Sequence, residues 1–325
     1  MDTINIRRDK TGKLSLSENA LLPQAFVATM GVFDGFHRGH QHLIDNVKNE
    51  AAVRALPSMA ITFFEPPVAV LRPDIEYQLL SDIEEKKCLL ERSGIDFLCI
   101  LHFDKEMSQM DSRTFIQEII AELLHVAVFV IGYDHRFGRP IEGEGIEEYR
   151  KYAASKGMEL MHISEAVDVE GLPYSSTRVR SSLHNAQLDN ANALLGHPYM
   201  IQGCVVRGDG IGRHFGYPTA NLSFSSRYKM LPVDGVYAVE VDMDDKEIKK
   251  GMLYIGKRPT IAKGLDRVTE VNIFDYDGDL YGKHLRLWVK HFIRAEKSFS
   301  SSQDLVRQLA LDKEATIAYF QEKEK

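Results

Sequence analysis

Hydrophobic positions divide the chain into two textures. Residues 26–33 (FVATMGVF) form an apolar run of strand length, and 40–54 place Leu43, Ile44, Val47 and Ala51 on one helical face. A second apolar run at 58–64 (SMAITFF) predicts another strand. Ser81-Asp82-Ile83-Glu84 has the pattern of a capping box opening a helix that Gly94 ends. Runs at 95–101 (IDFLCIL) and 126–132 (VAVFVIG) predict two further strands around a helix near 112–124. Apolar strands alternating with amphipathic helices predict a parallel sheet covered on both faces.

After about residue 185 the pattern changes. A short helix around 187–195 is closed by Gly196, with Pro198 beyond it. Short β-rich runs follow at 199–207, 235–241, 251–256, 268–274 and 284–292, separated by turns such as Asp277-Gly278-Asp279. That texture predicts an antiparallel barrel. An amphipathic helix over 302–321, with Leu305, Leu309 and Ala315 inward, completes it. A chain of 325 residues is long for one core, so two domains are expected, with the boundary near 184–198.

Composition adds exclusions. The formal charge of −7 argues against a general nucleic-acid or anionic-membrane surface, while leaving room for local basic pockets. Cys88, Cys99 and Cys204 are dispersed without a CxxC pair and read as buried thiols in a reducing compartment. The N-terminal segment has no apolar signal region, and no stretch of about 18 apolar residues occurs. A soluble cytoplasmic protein is expected, with small molecules rather than nucleic acid or membrane as partners.

Residues 31–40 read Gly-Val-Phe-Asp-Gly-Phe-His-Arg-Gly-His, where a predicted strand gives way to a helix. Open α/β sheets bind ligands at such places, and a helix N-terminus offers free N–H groups to phosphate. Gly35 and Gly39 remove side chains where the backbone would approach a triphosphate. His37 and His40 can address one phosphate together, donating where negative charge develops during attack on an α-phosphate. Two other readings stay open: histidines capping a helix, or a metal site with His42, although His42 falls on another side of the helix. Further along, Ser175-Ser176-Thr177-Arg178-Val179-Arg180 sets hydroxyls, amides and arginine at a helix start, which suits the β- and γ-phosphates of ATP. The glycines of 207–222 lack the GK[ST] of a P-loop and lie outside a βαβ unit, so alone they read as a hairpin turn.

Taken in order, these segments resemble the HxGH nucleotidyltransferases, and within them the bacterial bifunctional riboflavin kinase/FMN adenylyltransferases. The likeness runs through GxFDGxHxGH at 31–40, Gly132-Tyr-Asp-His-Arg-Phe-Gly138, the SSTxxR element at 175–180, Pro218-Thr219-Ala220-Asn221, Gly256-Lys257-Arg258-Pro259-Thr260 and Glu270. It spans about residues 26–318. The resemblance implies an α/β Rossmann-like adenylyltransferase domain, residues 1–184, making FAD and pyrophosphate from FMN and ATP. It implies a C-terminal β-barrel riboflavin kinase domain, residues 185–325, ending in a helix and making FMN from riboflavin and ATP. Both reactions would use Mg²⁺.

Site residues follow from the same resemblance. His37 and His40 would act on the α-phosphate, and Glu270 would be general base for the ribityl hydroxyl. ATP would lie against Gly31, Phe33, Asp34, Gly35, Gly39, Ser175, Ser176, Thr177 and Arg180 in the first site. In the second it would lie against Gly208, Gly210, Gly212 and Gly216. Thr219 and Asn221 would hold Mg²⁺, and Asp134, Arg136, Phe137, Arg258 and Arg294 would contact flavin. The chain departs from the family at His135 (usually Phe), at Thr62-Phe-Phe-Glu-Pro-Pro67, which lacks the histidine of a TFxPHP-like segment, and at Tyr254 (commonly Asn). A nucleotidyltransferase for another acceptor, such as a pyridine mononucleotide or phosphopantetheine, would explain the histidines but not the PTAN half. A flavin-binding regulator without turnover is a third reading.

Overall fold

The computed structural model describes residues 1–17, 22–132, 137–138, 143–208, 212, 215–243, 247–257 and 267–324. The chain forms two compact units, Met1–Tyr77 with Lys86–Tyr174, and Gln78–Glu85 with Ser175–Lys325.

The first unit is built on seven strands: β1 (Asp2–Arg8), β2 (Leu14–Leu16), β3 (Phe26–Met30), β4 (Ser58–Phe63), β5 (Phe97–Leu101), β6 (Val126–Ile131) and β7 (Glu159–His162). Their order is β2-β1-β5-β4-β3-β6-β7, and every pair is parallel except β1–β2. All residues of β3 and β4 are buried, which is why they read as unbroken apolar runs. Helix α1 (Arg38–Arg54) buries the four residues its periodicity marked, Leu43, Ile44, Val47 and Ala51. The remaining helices are α2 (Pro67–Leu71), α3 (Ile83–Arg92), α4 (Ser112–Thr114), which runs on as a π-helical stretch Phe115–Leu123, and α5 (Ile146–Ala154). The chain moves from β3 through β4 to β5 on one side and returns to β6 on the other. The strand order therefore reverses at β3, and the crevice at its carboxyl end is a topological switch point.

Three local expectations change. The β1–β2 hairpin and β7 are strands that the periodicity did not mark. The capping box opening α3 sits one residue later than expected: Asp82 caps Glu85 N–H at 2.9 Å, and Glu85 caps Asp82 N–H at 3.0 Å. The strand expected over 26–33 stops at Met30, because Phe33 takes a left-handed φ of 49° that no strand accommodates.

The second unit is a closed antiparallel barrel of β8 (Tyr199–Val206), β9 (Ala220–Ser223), β10 (Gly235–Asp242), β11 (Ile248–Lys257), β12 (Arg267–Ile273) and β13 (His284–Ala295), ordered β10-β11-β12-β9-β8-β13. Helices α6 (Ser176–His184), α7 (Leu188–Leu195) and α8 (Ser302–Lys323) accompany it. Gly196, at φ 78°, closes α7 as its position suggested. On α8 the expectation that Ala315 faces inward is wrong: Ala315 is exposed, and the buried positions are Asp312, Thr316 and Phe320. Asp312 is drawn inward by Arg294 of β13, which forks onto both its carboxylate oxygens at 2.7 Å.

Segment Gln78–Glu85 belongs to this second unit although it precedes most of the first in sequence. Leu79 N–H donates to Tyr228 O at 2.7 Å, and Met230 N–H to Leu79 O at 2.8 Å. The buried Lys229 ammonium donates to Glu85 at 2.7 Å, Leu80 O at 2.7 Å and Met200 O at 2.8 Å, over the Tyr199 ring. Glu85 also accepts Gln202 N–H at 2.8 Å. Burial disfavours the Lys229 charge, but Glu85, with Tyr199 and Asp82, outweighs it and holds the ammonium above the ordinary lysine range. Removing one partner strands the other's charge in the interior. Lys229→Met should therefore lower stability by about 3–5 kcal/mol, and Lys229→Met with Glu85→Leu should recover much of it. Urea unfolding of the three chains checks this, and a double variant no more stable than the single one would refute it.

Candidate active sites

The first site grows from the turn between β3 and α1. Phe33, Gly35 and Phe36 all have left-handed backbones, with φ of 49°, 78° and 46°. Glycine accepts that conformation without cost; two bulky aromatic residues do not, and such strain collects at ligand sites. Both phenylalanines are buried, and burial of their rings holds the turn. His37 is the N-cap residue of α1, so His40 falls in its first turn. The two imidazoles stack with centroids 3.7 Å apart and planes within 20°, and the Phe33 ring meets His40 edge-on at 5.3 Å. Gly39 has a local reason beyond a ligand: a Cβ there would come within 3.1 Å of the His37 ring and 3.3 Å of Tyr174. Gly31 likewise leaves room for the Phe33 ring. Asp34 is buried in the same turn, and His42 is exposed.

Burial, then the neighbouring His37 and Lys86, hold His40 well below the ordinary imidazole pKa. His40 is therefore neutral at pH 7 and can donate one N–H without carrying charge. Its Nδ1 is buried with no hydrogen-bond partner among the described residues. Orphaned polar atoms of this kind call for a ligand or a water. Lys86, itself buried, donates to Val32 O and Phe63 O, each at 3.2 Å, at the carboxyl ends of the two central strands.

The second segment near this sheet edge follows β6. Gly132 lies next to it; Asp134 and Arg136, expected at flavin, lie outside the described residues. Phe137 is not available to a ligand as expected. It is 1% exposed and packs against Phe115, Phe129 and Tyr149 with centroids 5.1–6.2 Å away. Gly138, at φ 56°, sits where any Cβ would collide with the backbone of Met110 and Ser112. Phe137 and Gly138 are thus fixed by packing within the first unit. Ser175, Ser176, Thr177 and Arg180 stand at the start of α6, where Ser175 is N-cap and its hydroxyl accepts Arg178 N–H at 3.3 Å.

The second site lies on the barrel wall. Glu270 on β12 faces Asn221 of β9 on one side and Tyr254 of β11 on the other. The Thr219 hydroxyl donates to Glu270 at 3.0 Å. Gly208 packs so closely that a Cβ would collide with the Asn221 amide, and one on Gly212 would reach 3.3 Å from Thr219 Oγ1. Gly216 needs its φ of 78°. The structure therefore gathers Gly208, Gly212, Thr219, Asn221 and Glu270; Gly210 and Arg258 lie outside the described residues. Arg294, expected at flavin, is instead committed to Asp312. Its companions in the R-x-E-x-x-F element are also engaged: Glu296 accepts the Tyr254 hydroxyl at 2.6 Å, and Phe299 lies 5.9 Å from the Arg294 guanidinium. Burial, then the bond to Glu296, pushes the Tyr254 phenol up.

Sequence reasoning missed two contributors. Asn272 donates to Pro218 O at 2.7 Å and fixes the start of the PTAN turn. Lys86 carries no signal, since nothing in Glu-Glu-Lys-Lys distinguishes it from the half-buried Lys87. Of the three cysteines, all free, only Cys99 is fully buried. Among the described residues no helix is long and apolar enough to cross a membrane, and no group of three His, Cys, Asp or Glu could hold a metal.

Both parts of the chain match known families. Residues 20–178 match the family model described as FAD synthetase, and 195–320 the one described as riboflavin kinase. The bifunctional riboflavin kinase/FMN adenylyltransferase of Escherichia coli K12 is 35% identical over 294 residues, covering 90% of this chain and 92% of that one. Its namesake in Bacillus subtilis 168 is 32% identical over 298 residues, with 90% and 92% covered. A crystal structure from Streptococcus pneumoniae, titled a macrolide-efflux protein, superposes with a TM-score of 0.82 at 31% identity, covering 97% of this chain and 99% of its own. Two family models, one over each part of the chain, define a nucleotide-dependent transferase with two catalytic domains. The chain belongs to the bifunctional riboflavin kinase/FMN adenylyltransferase family and carries both of its domains.

Proposed function

We propose that the barrel unit phosphorylates riboflavin with ATP to give FMN and ADP, and that the α/β unit adenylylates FMN with ATP to give FAD and pyrophosphate. The observation carrying this reading is that each unit has its own constellation for handling phosphate: stacked His37 and His40 in one, Thr219 with Glu270 in the other. A nucleotidyltransferase for another acceptor accounts for the first constellation but not the second.

At the first site the FMN phosphate attacks the α-phosphorus of ATP, and pyrophosphate leaves. His37 and His40 donate to the non-bridging oxygens, where charge builds. The buried, unpartnered Nδ1 of His40 and the preformed turn mean that little reorganisation accompanies the step. The resemblance carries Ser175, Ser176, Thr177 and Arg180 as ATP-phosphate residues; the Ser175 hydroxyl already caps α6, so Ser175 would act through the helix start.

At the second site Glu270 takes the proton of the ribityl hydroxyl as that oxygen attacks the γ-phosphorus. The Thr219 hydroxyl, donating to Glu270, keeps its lone pairs for a cation. Thr219 and Asn221 offer hard oxygen donors without a cage of carboxylates, which fits Mg²⁺ completed by phosphate and water rather than an all-protein site. When bound, the ion neutralises the phosphate oxygens. Small molecules as the only partners and a cytoplasmic setting follow from these substrates.

Chromatography of riboflavin, ATP and Mg²⁺ incubated with the protein, with and without added FMN, tests the reading. FMN followed by FAD and pyrophosphate is the expected result. Tight flavin binding with no product would favour a regulator, and FAD from added FMN with no conversion of riboflavin would remove the kinase half.

A further inference from the structure

We infer that Lys86 is a positioning residue of the adenylyl-transfer centre, fixing the histidine turn on the sheet and bringing its buried charge to bear on the imidazoles. The inference rests on the assignment of that centre to His37 and His40.

A buried lysine needs a reason, because removing an ammonium from water is costly unless acceptors replace it. Lys86 is 1% exposed, and two of its acceptors are carbonyl oxygens from different strands' ends. Val32 belongs to the GxFDGxHxGH turn itself and immediately precedes the strained Phe33; Phe63 ends β4. One side chain from α3 thus joins the turn to the neighbouring strand. The register of β3 on β4 continues to Gly31, whose N–H donates to Ile61 O at 3.0 Å. Beyond Gly31 the turn is tethered at Val32 O, which accepts both the Thr62 hydroxyl of β4 at 3.3 Å and the Lys86 ammonium at 3.2 Å.

The same charge reaches the imidazoles. Among the described residues, the titratable groups acting on His40 are His37 of its own turn and Lys86 of α3; Phe33 contributes only apolar surface. A cation beside a histidine penalises a second positive charge, so Lys86 adds to burial and to His37 in favouring the neutral form of His40. A neutral imidazole with its Nδ1 unpartnered in the protein is a donor whose tautomer the substrate is free to select. Losing the ammonium has two separable consequences. The turn loosens, which lowers the rate. His40 gains a proton at higher pH, which moves the acid side of the rate profile.

Lys86→Met in the full chain tests both. FAD formation from supplied FMN should fall roughly 10–100-fold in kcat, as expected when a supporting partner of a reacting group is lost. The acid limb of its pH profile should move to higher pH than in the unsubstituted protein, because one cause of the depressed His40 pKa is gone. Urea unfolding, in which the α/β unit must still melt cooperatively, reports that the variant is folded, since riboflavin phosphorylation belongs to the other unit. Lys86→Arg keeps the charge, and should keep the acid limb in place even where its larger head slows the reaction. If Lys86→Met fails to fold, NMR titration of the His40 ring in Lys86→Gln reads the same electrostatic effect, and an unchanged His40 pKa would overturn the inference. So would a slower reaction with an unmoved acid limb, which is what a purely structural lysine gives. If His40→Ala retains FAD formation, the assignment of the centre fails first; if His40→Ala is inactive and Lys86→Met is normal, only the role of Lys86 fails.

Discussion

His40→Ala is expected to lose FAD formation by about 10²–10³-fold while leaving riboflavin phosphorylation intact, measured on one preparation with FMN or riboflavin as substrate. The magnitude is that of removing one preorganised donor from a developing oxyanion. The geometry explains why the loss falls on kcat. His40 stands stacked on His37 at 3.7 Å and edge-on to Phe33, so its ring is already placed before substrate arrives. The substitution removes the donor without disturbing the glycine contacts, since Gly39 is shaped around the His37 ring and Tyr174 rather than around His40. Phosphorylation serves as the internal control because Thr219, Asn221 and Glu270 belong to a different unit. If both activities disappeared from a folded His40→Ala chain, the assignment of separate centres would be wrong.

What could be read in advance follows the physics of each element. Strands β3 and β4, buried along their whole length, had to be apolar throughout, and α1 had to show a single apolar face; both were legible. The β1 strand was not, because only Ile4 and Ile6 are buried among charged neighbours, too short an alternation to stand out. On α8 the inward positions include Asp312 and Thr316, whose burial depends on Arg294 and on a bond from the Thr316 hydroxyl to Asp312 O. Polar residues satisfied only in three dimensions erase the periodicity from which such a face is read. Motif reading singled out the histidine turn and the PTAN–Glu270 pair, and the structure brings the side chains of each together. Phe137 and Arg294, expected at flavin, with a structural ion pair as the other reading of Arg294, sit within motifs and serve packing and an ion pair here. Membership in a motif does not separate the residue that touches a ligand from the one that holds the motif in place. The burial of Lys86 and the assignment of Gln78–Glu85 to the second unit are tertiary facts; the capping-box pattern there marks only the start of α3.

Glu270→Gln carries the second large effect, in the opposite direction. Riboflavin phosphorylation should fall by about 10²–10⁴-fold, the range of a lost general base, and FAD formation from supplied FMN should persist. Glutamine keeps the size of the side chain and can still accept from the Thr219 hydroxyl, so the 3.0 Å contact and the β9–β12 pairing survive. What disappears is a group able to take a proton. That makes the isosteric change more informative than truncation to alanine, which would also free Thr219. The neighbouring Thr219→Val separates the two roles further. It removes the hydroxyl from Glu270 and from the proposed cation site together, so its loss of rate should be partly recovered by raising Mg²⁺, whereas that of Glu270→Gln should not. Equal rescue of both variants by Mg²⁺ would mean that Glu270 serves the cation rather than the proton. With riboflavin as the only flavin, Glu270→Gln should make neither FMN nor FAD. Adding FMN should restore FAD alone, because the His37–His40 centre waits only for its acceptor.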